Sequence, residues 1–244
     1  MQAWDIFNGG ETVAVLTSNE CDEVAARVIG ARAAWRERRP FRVQNHVFHT
    51  LGAATYLDPP DIYAAHAVAA NSVLKDAFGD VLARVIDAIS ARLDVPVRLD
   101  DRLALPGFHI FRGNAAAPTG LRFGGTIHVD TPHERHRFGF AVENTLSFTL
   151  PIALPATGAG MFWWHDVPPA LTDAAATPYA MAQSAFDWFD ANKRAIGYMP
   201  GQMVLHDGTT VHQLANDRPT GDDEWRITLQ GHGVFGDGGW HLFF

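Results

Sequence analysis

The spacing of the apolar residues changes once along the chain, at Val95-Pro96, and this change limits the architecture more than any other feature. Before it, apolar side chains recur every three or four residues, the period of a helix with one buried face. After it they alternate, the period of a strand. Helices followed by a run of strands define an α+β chain with a mainly antiparallel sheet.

Thr17-Ser18-Asn19-Glu20 has the spacing of a capping box, and Cys21, Val24, Ala25, Val28, Ala31 and Trp35 continue as one stripe. This predicts a helix through Arg36–Arg39, ended by Pro40. A second helix is expected from Pro59-Pro60-Asp61 to about Phe78, with Gly79 as its stop. A third is marked by Val81, Leu82, Val85, Ile86, Ile89 and Leu93. Strands are expected at 105–112, 122–130, 143–150, 160–164, 202–206, 209–214 and 225–235, separated by turn signals such as Gly113-Asn114, Ala156-Thr157-Gly158 and Asp207-Gly208. The 244 residues fit one domain, with 1–95 as helical support and 105–235 as the core. Residues 165–195 interrupt the strands with a Pro/Ala-rich loop and a helix near 179–194. Their aromatic cluster suits either a mobile lid over a site or packing on the outside of the sheet.

A formal charge of -8 argues against attachment to nucleic acid or anionic lipid, which need a basic face. No apolar run approaches the ~18 residues of a membrane span. The first twenty residues have no basic region of the kind that opens a secretory signal. Cys21 is the only cysteine, which excludes a disulfide framework and a multi-cysteine zinc site. A soluble, cytoplasmic protein is expected.

Three strands combine an apolar face with a face of ionisable or hydrogen-bonding groups. Alternation puts Thr126, His128 and Asp130 together, Thr210 with His212, and Arg226 with Thr228, Gln230 and His232. In His128-Val129-Asp130 an imidazole and a carboxylate project side by side and can take adjacent positions on one metal. A second imidazole from a neighbouring strand completes a 2-His-1-carboxylate face with open positions, a geometry diagnostic of non-haem Fe(II) oxygenases. His212 is the preferred second imidazole, with His206 as its competitor. His133-Glu134-Arg135-His136 lacks the spacing of a metalloprotease helix. His109 and His232 are candidates to line the cavity. His46, His49, His66, His165 and His241 read as surface or hydrogen-bonded structural residues. Phe111, Phe148, Trp163 and Trp164 suit either core or cavity wall.

With H-V-D at 128–130, G-T-T-V-H ending at His212, and W-R-I-T at 225–228, the chain resembles the Fe(II)- and 2-oxoglutarate-dependent oxygenases over about residues 105–235. The resemblance implies a double-stranded β-helix, or jelly roll, buttressed by N-terminal helices. It implies iron ligation by His128, Asp130 and His212. Arg226, with Thr228, would hold the far carboxylate of 2-oxoglutarate. The cosubstrates would be 2-oxoglutarate and O₂, the products succinate and CO₂, and the default outcome hydroxylation of a small-molecule substrate such as an amino acid or natural product. Two other readings are a cupin-like metal enzyme that does not use 2-oxoglutarate and a non-catalytic jelly-roll binding protein.

Overall fold

The computed structural model describes residues 10–38, 48–113, 126–176, 183–215, 221 and 223–244. Pro40, His46, the start of the expected 122–130 strand, Met181 and most of the 216–223 turn lie outside them.

The short strand β1 (Glu11–Ala14) leads into α1 (Ser18–Gly30). The capping box forms: the Thr17 backbone N–H donates to Glu20 Oε2 at 2.7 Å, and the Glu20 N–H donates to Thr17 Oγ1 at 3.4 Å. Cys21, Val24 and Val28 are its buried stripe. The helix is shorter than its periodicity predicts. A 3₁₀ turn (Arg32–Ala34) follows, closed by Trp35 Nε1 donating to the Val28 carbonyl at 3.0 Å. Residues Arg36–Arg38 then form β2, antiparallel to β3 (Phe48–Leu51). Sheet pairing with a distant segment overrides the local helical pattern.

The two helices expected between 60 and 93 are one helical run, α2 (Pro60–Leu93), kinked where Phe78 leaves helical geometry (φ -139°). Gly79 thus sits beside a kink rather than a stop. Phe78 is fully buried, with its ring 4.7 Å from that of Phe108. Among the described residues, no helix is long and apolar enough to cross a membrane.

After β4 (Val97–Leu99) come β5 (Gly107–Arg112), β6 (Asn144–Ala153), β7 (Gly160–Trp164), α3 (Pro169–Ala176), α4 (Gln183–Asn192), β8 (Arg194–Gly197), β9 (Gln202–Asp207), β10 (Val211–Ala215), β11 (Trp225–Gly236) and β12 (Gly239–Phe243). They build a mixed α/β structure dominated by antiparallel pairing. The larger sheet has the order β1-β9-β6-β11-β5-β3-β2, with β12 paired to β11 and, in parallel, to β4. The smaller sheet is β10-β7-β8.

Alternation gives the larger sheet two different faces. Phe108, Ile110, Leu146, Phe148, Leu150, Met203, Leu205, Ile227 and Leu229 form the main core with residues of α1 and α2. The opposite face carries His109, Arg226, Thr228, Ser147 and His206. Pro151 interrupts this regularity. A proline cannot donate to the ladder, and the pairing of β11 with β6 shifts by one residue between Ile227/Ala153 and Thr228/Pro151.

On the smaller sheet, Trp164 and Val211 pack with Ile127 and with Phe189 of α4, and Trp164 Nε1 donates to the Phe189 carbonyl at 2.6 Å. The described part of 165–195 therefore covers the outer face of this sheet. The alternative expectation, a lid over the cavity, does not describe these residues: Phe189 and Trp188 are drawn to the apolar backs of β7 and β10.

Candidate metal centre

His128 and His212 meet across an isolated antiparallel bridge. The His128 N–H donates to the His212 carbonyl at 2.9 Å, and the His212 N–H donates back at the same distance. Two residues on, the Asp130 N–H donates to the Gly208 carbonyl at 3.0 Å, so the Asp207-Gly208 turn joining β9 to β10 also fixes the carboxylate. That turn is braced by Asp207 Oδ1, which accepts from the Thr209 N–H and hydroxyl at 2.6 Å each. A Cβ at Gly208 would lie 2.6 Å from Thr145 Oγ1, so glycine is what lets the turn approach β6.

The imidazoles are oriented alike. Nδ1 of His128 lies 2.6 Å from the Thr126 carbonyl, and Nδ1 of His212 lies 2.9 Å from the Thr210 carbonyl. A carbonyl can only accept, so each Nδ1 holds the proton and each Nε2 lone pair points at Asp130. His128 Nε2 lies 3.5 Å from Asp130 Oδ1 and His212 Nε2 3.6 Å from Asp130 Oδ2. One ligand atom from each of the three residues falls within 4.8 Å of the others. Nitrogen and oxygen ligands sit about 2.0–2.2 Å from an ion of zinc's size, so one ion spans atoms up to ~4.4 Å apart. Both imidazole–carboxylate separations fall inside that limit, and a shift of a few tenths of an ångström is the most the remaining pair needs. Two neutral nitrogens and a carboxylate oxygen therefore fit a divalent transition metal.

Electrostatics agree with this donor set. Burial pushes the Asp130 carboxyl up, but His212, His128 and His232 outweigh it and hold the group well below the usual carboxylate range. Burial pushes His212 down to about 3, against the pull of Asp130, so its imidazole is neutral. Burial pushes His128 down, but the Asp130 carboxylate beside it and the Thr126 carbonyl outweigh burial and raise its pKa, so a proton and a metal compete for this Nε2. His206, the competing histidine, is buried with its ring 4.6 Å from that of His212, and it lies outside the three-residue cluster.

Arg226 and Thr228 face the same space from β11, opposite Phe111 and His109 of β5. Arg226 is 3% exposed, and its guanidinium carbon lies 5.6 Å from the centre of the Phe111 ring. Thr228 is fully buried and accepts from Gln230 Nε2 at 3.1 Å. His232 accompanies them, with Nδ1 2.9 Å from Ser147 Oγ and 3.9 Å from Asp130 Oδ2. Among the aromatic candidates, register separates two pairs. Phe111 and Trp163 share the inner faces with Arg226 and His212, whereas Phe148 and Trp164 belong to the outer cores.

Sequence reasoning missed the residues that border this space on its other side. Tyr56, in the loop before α2, has its hydroxyl 2.9 Å from His109 Nε2, and its ring packs edge-on to His232 and Phe244. Burial, then the charges of Arg226 and Arg38, push His109 down to about 3, so it stays neutral. The loop is pinned by Asp58, which accepts from Arg38 Nη1 and Nη2 at 2.7 and 2.9 Å and from the Ala54 N–H at 2.9 Å. No motif marks these residues, because they converge only through β2–β3 pairing. His66 and His241 are structural, as expected, bonded to Asp58 and Arg98.

No protein-family model matches the chain, and no curated protein matches it in sequence. Solved structures share its fold. An N-substituted L-amino acid dioxygenase from Burkholderia ambifaria AMMD is 15% identical, with a TM-score of 0.53 over 96% of this chain and 86% of that one. The non-haem α-ketoglutarate-dependent epimerase SnoN from nogalamycin biosynthesis is 12% identical, with a TM-score of 0.54 over 93% and 79%. SnoN in complex with Fe3+, α-ketoglutarate and nogalamycin RO is also 12% identical, with a TM-score of 0.52 over 92% and 78%. At these identities the likeness is one of fold.

Proposed function

We propose that this protein is a non-haem Fe(II)- and 2-oxoglutarate-dependent oxygenase that hydroxylates a C–H bond of a small molecule, an amino acid or a natural product. The observation that supports it most is the convergence of His128, Asp130 and His212 on one potential ion, with the Arg226 guanidinium buried in the same space. We read the two facing sheets as a double-stranded β-helix within one domain, 1–95 supporting and 105–235 forming the core. The fold shared with an amino acid dioxygenase and with SnoN, whose complex contains Fe3+ and α-ketoglutarate, points the same way. The buried free thiol of Cys21 suits a cytoplasmic protein.

In this reading Nε2 of His128, Nε2 of His212 and the Asp130 carboxylate hold the iron. The carbonyls of Thr126 and Thr210 fix both imidazoles in the ligating tautomer. Arg226 would form a charge-assisted pair with the far carboxylate of 2-oxoglutarate, for which a planar guanidinium is well suited, and Thr228 would add a hydroxyl. When bound, the metal, 2-oxoglutarate and O₂ supply the oxidising chemistry, one oxygen atom going to succinate and the other to the substrate, with loss of CO₂. Phe111 and His109 would line the reacting centre, with Tyr56 at its solvent-exposed rim. No side chain is required as a nucleophile.

The test is a succinate-release assay with Fe(II), 2-oxoglutarate and a panel of amino acids and metabolites, with product mass measured in parallel. Substrate-stimulated succinate and a mass gain of one oxygen are expected. Turnover that proceeds without 2-oxoglutarate would favour the cupin-like alternative and overturn the proposal.

A further inference from the structure

Arg194 lies outside both the ligand set and the Arg226 pocket, yet it stands in line with them. His212 of β10 pairs with Trp163 of β7, and Trp163 pairs with Arg194 of β8. Residues paired across antiparallel strands project from the same face, so a potential metal ligand, an indole and a guanidinium form one row. The row faces inward: the next residues on that face, Leu214, Met161 and Ile196, pack around Val204 of the larger sheet. Two strand spacings separate His212 from Arg194, about 9–10 Å at the backbone. The Arg194 guanidinium carbon lies 5.3 Å from the centre of the Trp163 ring. Its side chain is solvent-exposed, so the charge is open to a ligand entering between the sheets.

The charge pattern of this inner surface differs from that of the chain as a whole. The net charge is -8, yet the inner surface around the triad carries the guanidiniums of Arg226, Arg194 and Arg38 with the carboxylates of Asp130 and Asp58, and Asp58 is engaged by Arg38. Under the function proposed above, Asp130 is taken by the metal and Arg226 by the cosubstrate. Arg194 then remains for a second anion. A guanidinium resting on an indole keeps its plane and its outer edge available, the geometry that a carboxylate meets with two parallel hydrogen bonds.

We propose that Arg194, laid on Trp163, is the recognition point for a carboxylate of the substrate, so that the substrate is a small organic acid anchored at Arg194 with its carbon skeleton reaching toward the His128–Asp130–His212 centre. This rests on the oxygenase reading for the assignment of Arg226, and the test separates the two. Protein loaded with Mn(II), with and without 2-oxoglutarate, is titrated with a panel of amino acids, N-acetyl amino acids and aromatic acids. The primary amides of the same compounds serve as controls, and paramagnetic broadening of the ligand NMR signals reports binding near the metal.

The expected result is that at least one acid binds and its amide binds about tenfold more weakly or worse, the loss of a charge-assisted pair worth about 1.4 kcal/mol or more. Arg194→Ala should weaken that acid by a similar factor and Arg194→Lys by less, while Mn(II) and 2-oxoglutarate affinities stay within about twofold of the parent. The proposal is overturned if no acid binds, if acid and amide bind alike, or if Arg194→Ala leaves acid affinity unchanged. It is also overturned if Arg194→Ala weakens 2-oxoglutarate as much as the acid, since Arg194 would then serve the cosubstrate. Acid binding that depends on Arg194 in a protein that takes up no 2-oxoglutarate would instead uphold Arg194 and refute the oxygenase reading.

Discussion

His128 and His212 are joined by the same pair of 2.9 Å backbone hydrogen bonds that closes the bridge between their segments, so the spacing of the two imidazoles is set by sheet geometry. Asp130 is tied to the adjoining turn through Gly208. A ligand set anchored by main-chain bonds has little reorganisation left to do when an ion arrives, which favours binding.

Gly208→Ala should therefore weaken metal binding without removing a ligand. The added methyl would meet Thr145 Oγ1 at 2.6 Å and push the turn that holds Asp130 away from β6. A loss of about tenfold in Co(II) or Mn(II) affinity is expected, the low end of what disturbed support of a metal ligand costs. Direct titration measures it, and an unchanged affinity would show that the turn does not position Asp130.

Arg226→Ala should weaken 2-oxoglutarate by roughly 30-fold or more, because losing one half of a desolvated charge pair costs about 2–5 kcal/mol. Metal affinity should be unaffected, the three ligands being untouched. Calorimetric titration of the metal-loaded protein tests both statements. Equal 2-oxoglutarate affinity in parent and variant would remove the anchor role.

Asp58 gives a stability prediction with a defined sign. Burial raises its pKa, but the Arg38 pair, the Ala54 N–H and His66 outweigh burial and bring it to about 2, below the ordinary 3.8. A depressed carboxyl stabilises the fold at pH above its unfolded value, and that contribution, about 2 kcal/mol, is lost as pH falls from about 4 toward 2. Asp58→Asn leaves the buried Arg38 charge uncompensated and should cost about 3–5 kcal/mol in urea unfolding at neutral pH. The parent's acid sensitivity between pH 4 and 2 should be blunted in this variant.

The segment 183–192 should behave as outer scaffold. Trp164 and Phe189 tie α4 to the back of the smaller sheet, away from the triad. Saturation with metal and 2-oxoglutarate should leave hydrogen exchange there unchanged while protecting β10 and the loop at Tyr56. Strong protection confined to 183–192 would restore the lid interpretation.

What could be read from the sequence followed from short-range geometry. Alternation along extended backbone is local, so the placing of Arg226 with Thr228 on one face was legible, as was the capping box at Thr17. His128 and Asp130 also come together, although 126–130 makes a single bridge to His212 in place of the expected strand. Which face a lone aromatic takes was not legible, because it depends on register: Trp163 and Trp164 are adjacent, and only pairing with His212 and Val211 sends one inward and one outward. The end of α1 was missed because β3 recruits Arg36–Arg38 into the sheet. Tyr56, Asp58 and Arg194 had no signal at all. Tyr56 and Arg194 take their places through pairing and contacts with other strands, and Asp58 through the arginine that β2–β3 pairing brings to it.

The most direct test of the account is an anaerobic titration of the Fe(II)-loaded protein with 2-oxoglutarate, followed by the visible charge-transfer absorption of the chelated metal. The account predicts a band that saturates at one equivalent, is absent in His212→Ala, and needs more 2-oxoglutarate to form in Arg226→Ala. A band of equal strength in His212→Ala, or no band in the parent when both iron and 2-oxoglutarate are in excess, would contradict it.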